Sequence, residues 1–262
     1  MKKVLTIAGS DSGGGAGIQA DIKTISAHGL FALSVITAVT AQNTLGIRDI
    51  FPVPEECIGQ QLDAVFEDLE PDSIKIGMLS DKGIIDTVSR KLHCYKGANI
   101  VLDPVLSAGS GKSLMKDNSV EVMVEKLFPS AFLVTPNIPE ACVLASMEIK
   151  TKAHIEKAAE IIGKYTNGGV LVKGGHAVFN EGLAEDCLFF KGSIQWFSGK
   201  RIKNANNHGT GCTLSSAIAS NLAKGMSLKE SIKKSKTYLS NCLAFDLNLG
   251  AGTGPVNHFY FL

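Results

Sequence analysis

Residues 3–29 read KVLTIAGSDSGGGAGIQADIKTISAHG, and they hold three kinds of segment in succession. An apolar run over 3–9 stops at Gly9 and reads as a buried strand. A glycine-rich turn follows. Ile18, Ile22 and Ile25 then recur at helical spacing until Gly29 ends the run. The stretch is therefore strand, turn, helix, the first part of a βαβ unit.

The same alternation continues outward from this stretch. Residues 32–43, ALSVITAVTAQN, form a long β-branched strand, and 54–69 an amphipathic helix with Pro54 in its first turn. Strands are expected over 73–78, 99–104, 131–137 and 168–175, with helices over 81–95, 118–128 and 152–166 between them. Short alternating pieces at 185–190, 193–197 and 200–204 predict a small antiparallel edge. Two helices close the chain, one over 211–225 and one opened by the capping box Ser227–Glu230. This order predicts an α/β fold: a mostly parallel central sheet, helices on both faces and a small antiparallel edge. No linker, repeat or charge run divides it, so residues 1–262 read as one domain. Ligands of such sheets bind beyond the carboxyl ends of the strands. That directs attention to residues 9–15, 42–43, 77–78, 103, 135–137 and 173–176.

Composition narrows the partner. Hydrophobic residues are 45% of the 262, enough for a full core, and the net charge of +1 offers no field for nucleic acid or a membrane surface. No apolar stretch approaches ~18 residues, and the first residues lack the apolar length of a signal peptide. A cytoplasmic protein with a small-molecule substrate is the expectation. The six cysteines show no C-x-x-C spacing, so zinc and redox motifs are disfavoured. Cys57, Cys94, Cys142, Cys187 and Cys242 read as buried small apolar residues.

Two motifs fail on inspection. GAGIQA at 15–20 fits a loose dinucleotide fingerprint, but the second strand ends in Ala41, Gln42 and Asn43 with no acid for a ribose. SAGSGKS at 107–113 lacks the first glycine of a phosphate loop, because position 106 is Leu106. It reads as a surface loop or a flap hinged at Gly109 and Gly111.

Four other stretches carry chemistry. In HGTGCT, Gly209, Thr210, Gly211 and Cys212 precede a helix, whose first N–H groups and dipole make an anion hole suited to phosphate. Helix starts lower thiol pKa values, so Cys212 is expected to ionise readily and to serve as a base. An inert cysteine in a plain helix cap is the alternative. In VKGGH, Lys173 follows a buried strand and reads as a phosphate contact, or else as a surface lysine. In TPNIPEA, Asn137 and Glu140 could hold Mg²⁺ through waters, or simply cap a short helix. Gln42, close to the turn after Gly9, offers donors and an acceptor to a heteroaromatic edge.

Taken in this order, the pieces resemble the hydroxymethylpyrimidine/phosphomethylpyrimidine kinases of thiamine biosynthesis, which have the ribokinase-like fold. AGSDSGGGAGIQADIKT, VITAVTAQNT, KIGML, VLDPV, TPNIPEA, KGGH, HGTGCTLSSAIA and GTGPVNHF carry the resemblance over nearly the whole chain. It implies ATP and Mg²⁺, a homodimer, and two successive phosphorylations, of the hydroxymethyl group and of the monophosphate. Gln42 is similar to the family's pyrimidine-binding glutamine and Met78 to the methionine against the ring. Gly9 and Asp21 resemble pocket residues. Residues 209–212 resemble the anion hole, Lys173 the phosphate-contacting lysine, and Asn137 and Glu140 the Mg²⁺–phosphate pair. Gly109 and Asn207 depart from the family's AKSG and NTHGTGC. Pyridoxal kinase activity is the alternative within the enzyme class, and a non-catalytic binder the alternative outside it.

Overall fold

The structure is a computed structural model that describes residues 1–95, 98–106, 115, 118–175, 182–202, 204 and 206–262. Among the described residues, the nine strands are β1 (Lys3–Asp11), β2 (Phe31–Asn43), β3 (Gly46–Pro52), β4 (Ser73–Ile76), β5 (Asn99–Leu102), β6 (Leu133–Val134), β7 (Gly169–Lys173), β8 (Leu183–Phe190) and β9 (Ser193–Lys200). They form one sheet in the order β3-β2-β1-β4-β5-β6-β7-β8-β9. The six from β2 to β7 run parallel, while β3 at one edge and β8 and β9 at the other are antiparallel.

The helices are α1 (Gly17–Ala27), α2 (Glu55–Asp68), α3 (Lys82–Cys94), α4 (Ser119–Lys126), α5 (Ile138–Ala145), α6 (Lys152–Ile162), α7 (Thr210–Ala223) and α8 (Leu228–Ala244). Leu5, Ile7, Ile74 and Ile76 point to one face and join α2 to α6 in the larger core. Val4, Val101, Leu133 and Leu171 point to the other, against α1, α7 and α8. The fully buried strands read as unbroken apolar runs because both faces are covered. Asp81 and Thr151 cap α3 and α6, and the Ser227–Glu230 capping box opens α8.

The structure bears out the mostly parallel sheet with an antiparallel edge, adds a strand at the other edge and trims one expected strand. Antiparallel strands lie at both edges, since β3 pairs with β2. Of the described residues among 200–204, only Lys200 belongs to a strand, at the end of β9. The expected flap over 107–113, with Gly109, and the expected strand-end His176 lie outside the described residues.

Candidate active site

The carboxyl ends of the parallel strands and the first turn of α7 enclose a cleft of about 810 Å³. Its walls include Gly9, Gln42, Met78, Asp103, Asn137, Glu140, Lys173 and residues 209–212. The size suits a small molecule.

Close approach of two backbones shapes it. Gly209, at the start of α7, has φ of 82° and packs on the glycine-rich loop, where a Cβ would overlap the Gly15 carbonyl oxygen. Gly17 has φ of 54°, and a Cβ there would overlap the Gly9 carbonyl oxygen. Only glycine meets both conditions. The loop itself is tied by Asp11, whose carboxylate accepts from the N–H groups of Gly13, Gly15 and Ala16 at 2.8–3.0 Å. Burial pushes the Asp11 carboxyl up, but His208 and the Ala16 and Gly13 N–H groups outweigh it and hold it below the usual carboxylate range.

His208 donates to Asp11 through Nε2 at 2.9 Å. Its backbone N–H donates to Gly254, so the closing GTGPVNHF segment helps to fix it. The Gln42 amide nitrogen lies 3.2 Å from the same imidazole nitrogen, whose hydrogen is committed to Asp11. The Gln42 amide oxygen accepts from Thr40 at 3.2 Å. The amide thus keeps hydrogen-bonding capacity for a ligand. Met78 completes this part of the cleft: its sulfur fills the space beside Gly9, 3.3 Å from where a Cβ would stand.

Charge concentrates at the ends of β5 and β7. Lys173 Nζ lies 2.5 Å from Asp103, which is almost wholly buried and also accepts from Thr135 and Ser215. Burial works against the Lys173 ammonium, but Asp103 and Glu140 outweigh it and raise its pKa. A surface lysine is thereby excluded. Asn137 and Glu140 form a capping box: the Asn137 side chain accepts from the Glu140 N–H, and Glu140 accepts from the Asn137 N–H, each at 2.8 Å. Burial pushes Glu140 up to about 7, with Lys173 opposing and Asp103 adding to it.

Two site expectations are corrected. Cys212 is not an easily ionised thiol: burial pushes it up to about 11, although Lys75 and the Gly17 N–H act in the other direction. Desolvation outweighs the helix dipole here. Asp21 does not line the cleft; it is wholly buried beneath it, paired with Lys75. Four residues now matter that had no assigned role in the sequence: Asp11, Lys75, Asp103 and His208. Asp103 was marked only by its place after a strand. Lys75 had a signal in the lone charge within SIKIGM.

Among the described residues no three His, Cys, Asp or Glu side chains converge to hold a metal ion. Glu140 and Asn137 line the cleft with oxygen donors of the kind that a hydrated Mg²⁺ takes through its waters. No helix among the described residues is long and apolar enough to cross a membrane.

Comparison with known proteins agrees with this geometry. Residues 11–257 match the family model described as phosphomethylpyrimidine kinase. The chain is 43% identical over 259 residues to the hydroxymethylpyrimidine/phosphomethylpyrimidine kinase of Bacillus subtilis strain 168, covering 99% of this chain and 95% of that one. It is 45% identical to the thiamine biosynthesis bifunctional protein ThiED of Geobacter sulfurreducens, over 97% of this chain and 52% of that protein. A crystal structure of phosphomethylpyrimidine kinase from Clostridium difficile 630 superposes with a TM-score of 0.82 at 40% identity, over 92% of this chain and 98% of that one. Pyridoxal kinase from Staphylococcus aureus, in complex with AMP-PCP and pyridoxal, superposes with a TM-score of 0.90 at 31% identity, over 100% and 94%. The chain belongs to the phosphomethylpyrimidine kinase family.

Proposed function

We propose that the cleft transfers the γ-phosphoryl group of ATP to 4-amino-5-hydroxymethyl-2-methylpyrimidine, and then a second one to the resulting monophosphate, giving the diphosphate used in thiamine biosynthesis. The carrying observation is the meeting, in one cleft, of a ring-reading group (Gln42, Gly9, Met78) and a phosphate cradle (residues 209–212 with Lys173). The likeness to pyrimidine kinases along the chain supports the same substrate.

In the first transfer the hydroxymethyl oxygen attacks the γ-phosphorus. The bond from that phosphorus to the bridging oxygen breaks, and ADP leaves with the electron pair. Such transition states are loose, so positioning and charge neutralisation dominate. Lys173 and the first-turn N–H groups of α7, Thr210 included, meet the charge on the transferring group. Cys212 takes the hydroxyl proton in its small ionised fraction, because burial holds the thiol above its ordinary pKa. Asn137 and Glu140 would hold a Mg²⁺ ion through its waters, and the ion, when bound, would supply charge neutralisation to the phosphates.

The 262 residues read as one ribokinase-like domain, a reading supported by the single continuous sheet. A cytoplasmic homodimer remains the expected form, and light scattering on the purified chain tests the dimer.

The likeness to the pyridoxal kinase complex favours one second reading, phosphorylation of pyridoxal in the same cleft. An ATP-consumption assay across hydroxymethylpyrimidine, its monophosphate, pyridoxal and pyridoxine, with product masses, decides between them. Turnover of pyridoxal alone, or of none of the four, overturns the main reading.

A further inference from the structure

Lys75 is the largest wholly buried side chain among the described residues. Its Nζ lies 2.8 Å from Asp21, which is equally buried. Thr6 donates to the same Asp21 oxygen at 2.5 Å, and Ser216 to the other at 2.7 Å. The cluster thus ties β1, α1, β4 and α7 together. Buried ion pairs are weak sources of stability, and apolar replacements of similar volume often do as well. Stability alone gives little reason for a lysine in the middle of SIKIGM.

Its location gives a better one. Ser216 lies one helical turn after Cys212 on α7. Asp21 lies one turn after Gly17 on α1, and Gly17 and Cys212 line the same cleft. Lys75 reaches along β4 toward the cleft floor, since a Cβ on Gly77 would stand 2.7 Å from its Nζ. Cys212 therefore lies one turn from the serine that binds the Lys75–Asp21 pair and shares the cleft with Asp103 and Lys173, and these four are the charged groups that act on it.

We propose that Lys75 is a positioning residue for phosphoryl transfer: its ammonium, fixed by Asp21, lies beneath the first turn of α7 and favours negative charge at Cys212 and in the phosphate cradle. This rests on the phosphotransfer reading given above. The signs agree with the placement. Burial is the largest influence on the Cys212 thiol and drives it up, and Lys75 is the strongest influence against that, ahead of Asp21 and Asp103 acting the other way. The Lys75 ammonium stays charged, because Asp21, Cys212 and Asp103 together overcome its burial.

The test uses the full chain, as Lys75→Met and as Asp21→Asn/Lys75→Met, the second leaving no unpaired charge. Iodoacetamide alkylation is followed peptide by peptide at pH 8–10. Cys57 and Cys94, exposed in the structure and not buried as the sequence suggested, serve as internal references. Loss of the ammonium should slow alkylation of Cys212 relative to Cys57 by about tenfold or more, as expected when a neighbouring opposite charge is removed. In the same variants kcat should fall and its pH profile move to higher pH, with the pyrimidine KM nearly unchanged. A purely structural role would lower the melting temperature and leave the alkylation ratio alone. An unchanged ratio in folded variants overturns the proposal, as does a double variant that cannot fold. Slower alkylation with unchanged kcat also overturns it, because the ammonium would then act on the thiol and not on transfer. If the parent chain phosphorylates none of the four compounds, the phosphotransfer reading fails by itself, and the alkylation ratio still reports on Lys75.

Discussion

Gln42 and Cys212 belong to different parts of the reaction, so their replacements should fail differently. Gln42→Leu keeps the volume and removes the polar edge. The unpaired ring atoms should cost about 1–3 kcal/mol of binding, seen as a raised KM for the pyrimidine with the ATP KM nearly unchanged. A normal pyrimidine KM would take Gln42 out of ring recognition. Cys212 separates the two phosphorylations. A hydroxymethyl group must lose a proton as it attacks, whereas the monophosphate already carries ionised oxygen, and is doubly ionised above about pH 6. Cys212→Ala should therefore slow the first transfer by about 10²-fold, the low end for a general base, because so little of the thiol is ionised. The second transfer should be slowed far less. Single-turnover measurements on each substrate decide this, and equal losses in both would remove the cysteine from proton transfer. These two roles could be read from the sequence because short motifs mark them. Asp11, His208 and Lys75 were hidden, because their partners are 197 and 54 residues away and only the fold brings them together.

The glycine turn and α7 act together as one element, and Gly209, not Gly211, carries its constraint. Gly209→Ala puts a methyl group into the Gly15 carbonyl and strains a left-handed backbone, so stability and turnover should fall together. At Gly211 the backbone suits any residue, and a Cβ would stand 3.4 Å from both Asp103 and Lys173. Gly211→Ala should keep its melting temperature and lose about 10²-fold in kcat/KM for ATP, since the added methyl displaces the phosphate from its cradle. Calorimetry and steady-state kinetics on both variants check the contrast. A stable, fully active Gly211→Ala would make the turn a plain helix cap. The legibility of elements follows burial. Helices with one apolar face and strands covered on both sides announced themselves. β3 did not, since GIRDIFP has no buried side chain and so no alternation imposed by a core. Residues 200–204 had the alternation, but the chain leaves the sheet at Lys200. The capping box at Asn137 was readable as a cap and as a phosphate–metal pair, and the geometry leaves the cap in place beneath either role.

Across the whole molecule, the far end of the chain returns to brace the site, and it brings a pH dependence with it. GTGPVNHF runs from the His208 backbone contact at Gly254 to His258, which is almost fully buried between α7 and α8. There its Nε2 lies 3.1 Å from the Thr213 hydroxyl, and its carbonyl accepts from Tyr238. The sequence displayed this segment as a family signature but gave no reason for its histidine. Burial, with Lys23 adding to it, pulls the His258 imidazole down to about 4. The unfolded chain takes up a proton near pH 6.5, and the folded chain does not until about 4. Between those values the unfolded state binds more protons, so stability falls as the pH falls, by about 3 kcal/mol across the window. Above 6.5 the contribution is complete and flat. The depressed Asp11 carboxyl acts lower, below the ordinary carboxylate value, so the two windows are separable. Denaturant melts at pH 7, 6, 5 and 4 should show a steady loss in the parent chain. His258→Gln keeps an acceptor for Thr213 but cannot be protonated, so it should be less stable at pH 7 and lose less between 7 and 4. Parallel curves for the two proteins would mean that His258 stays neutral in both states or is protonated in both, and the acid sensitivity would then belong to other groups.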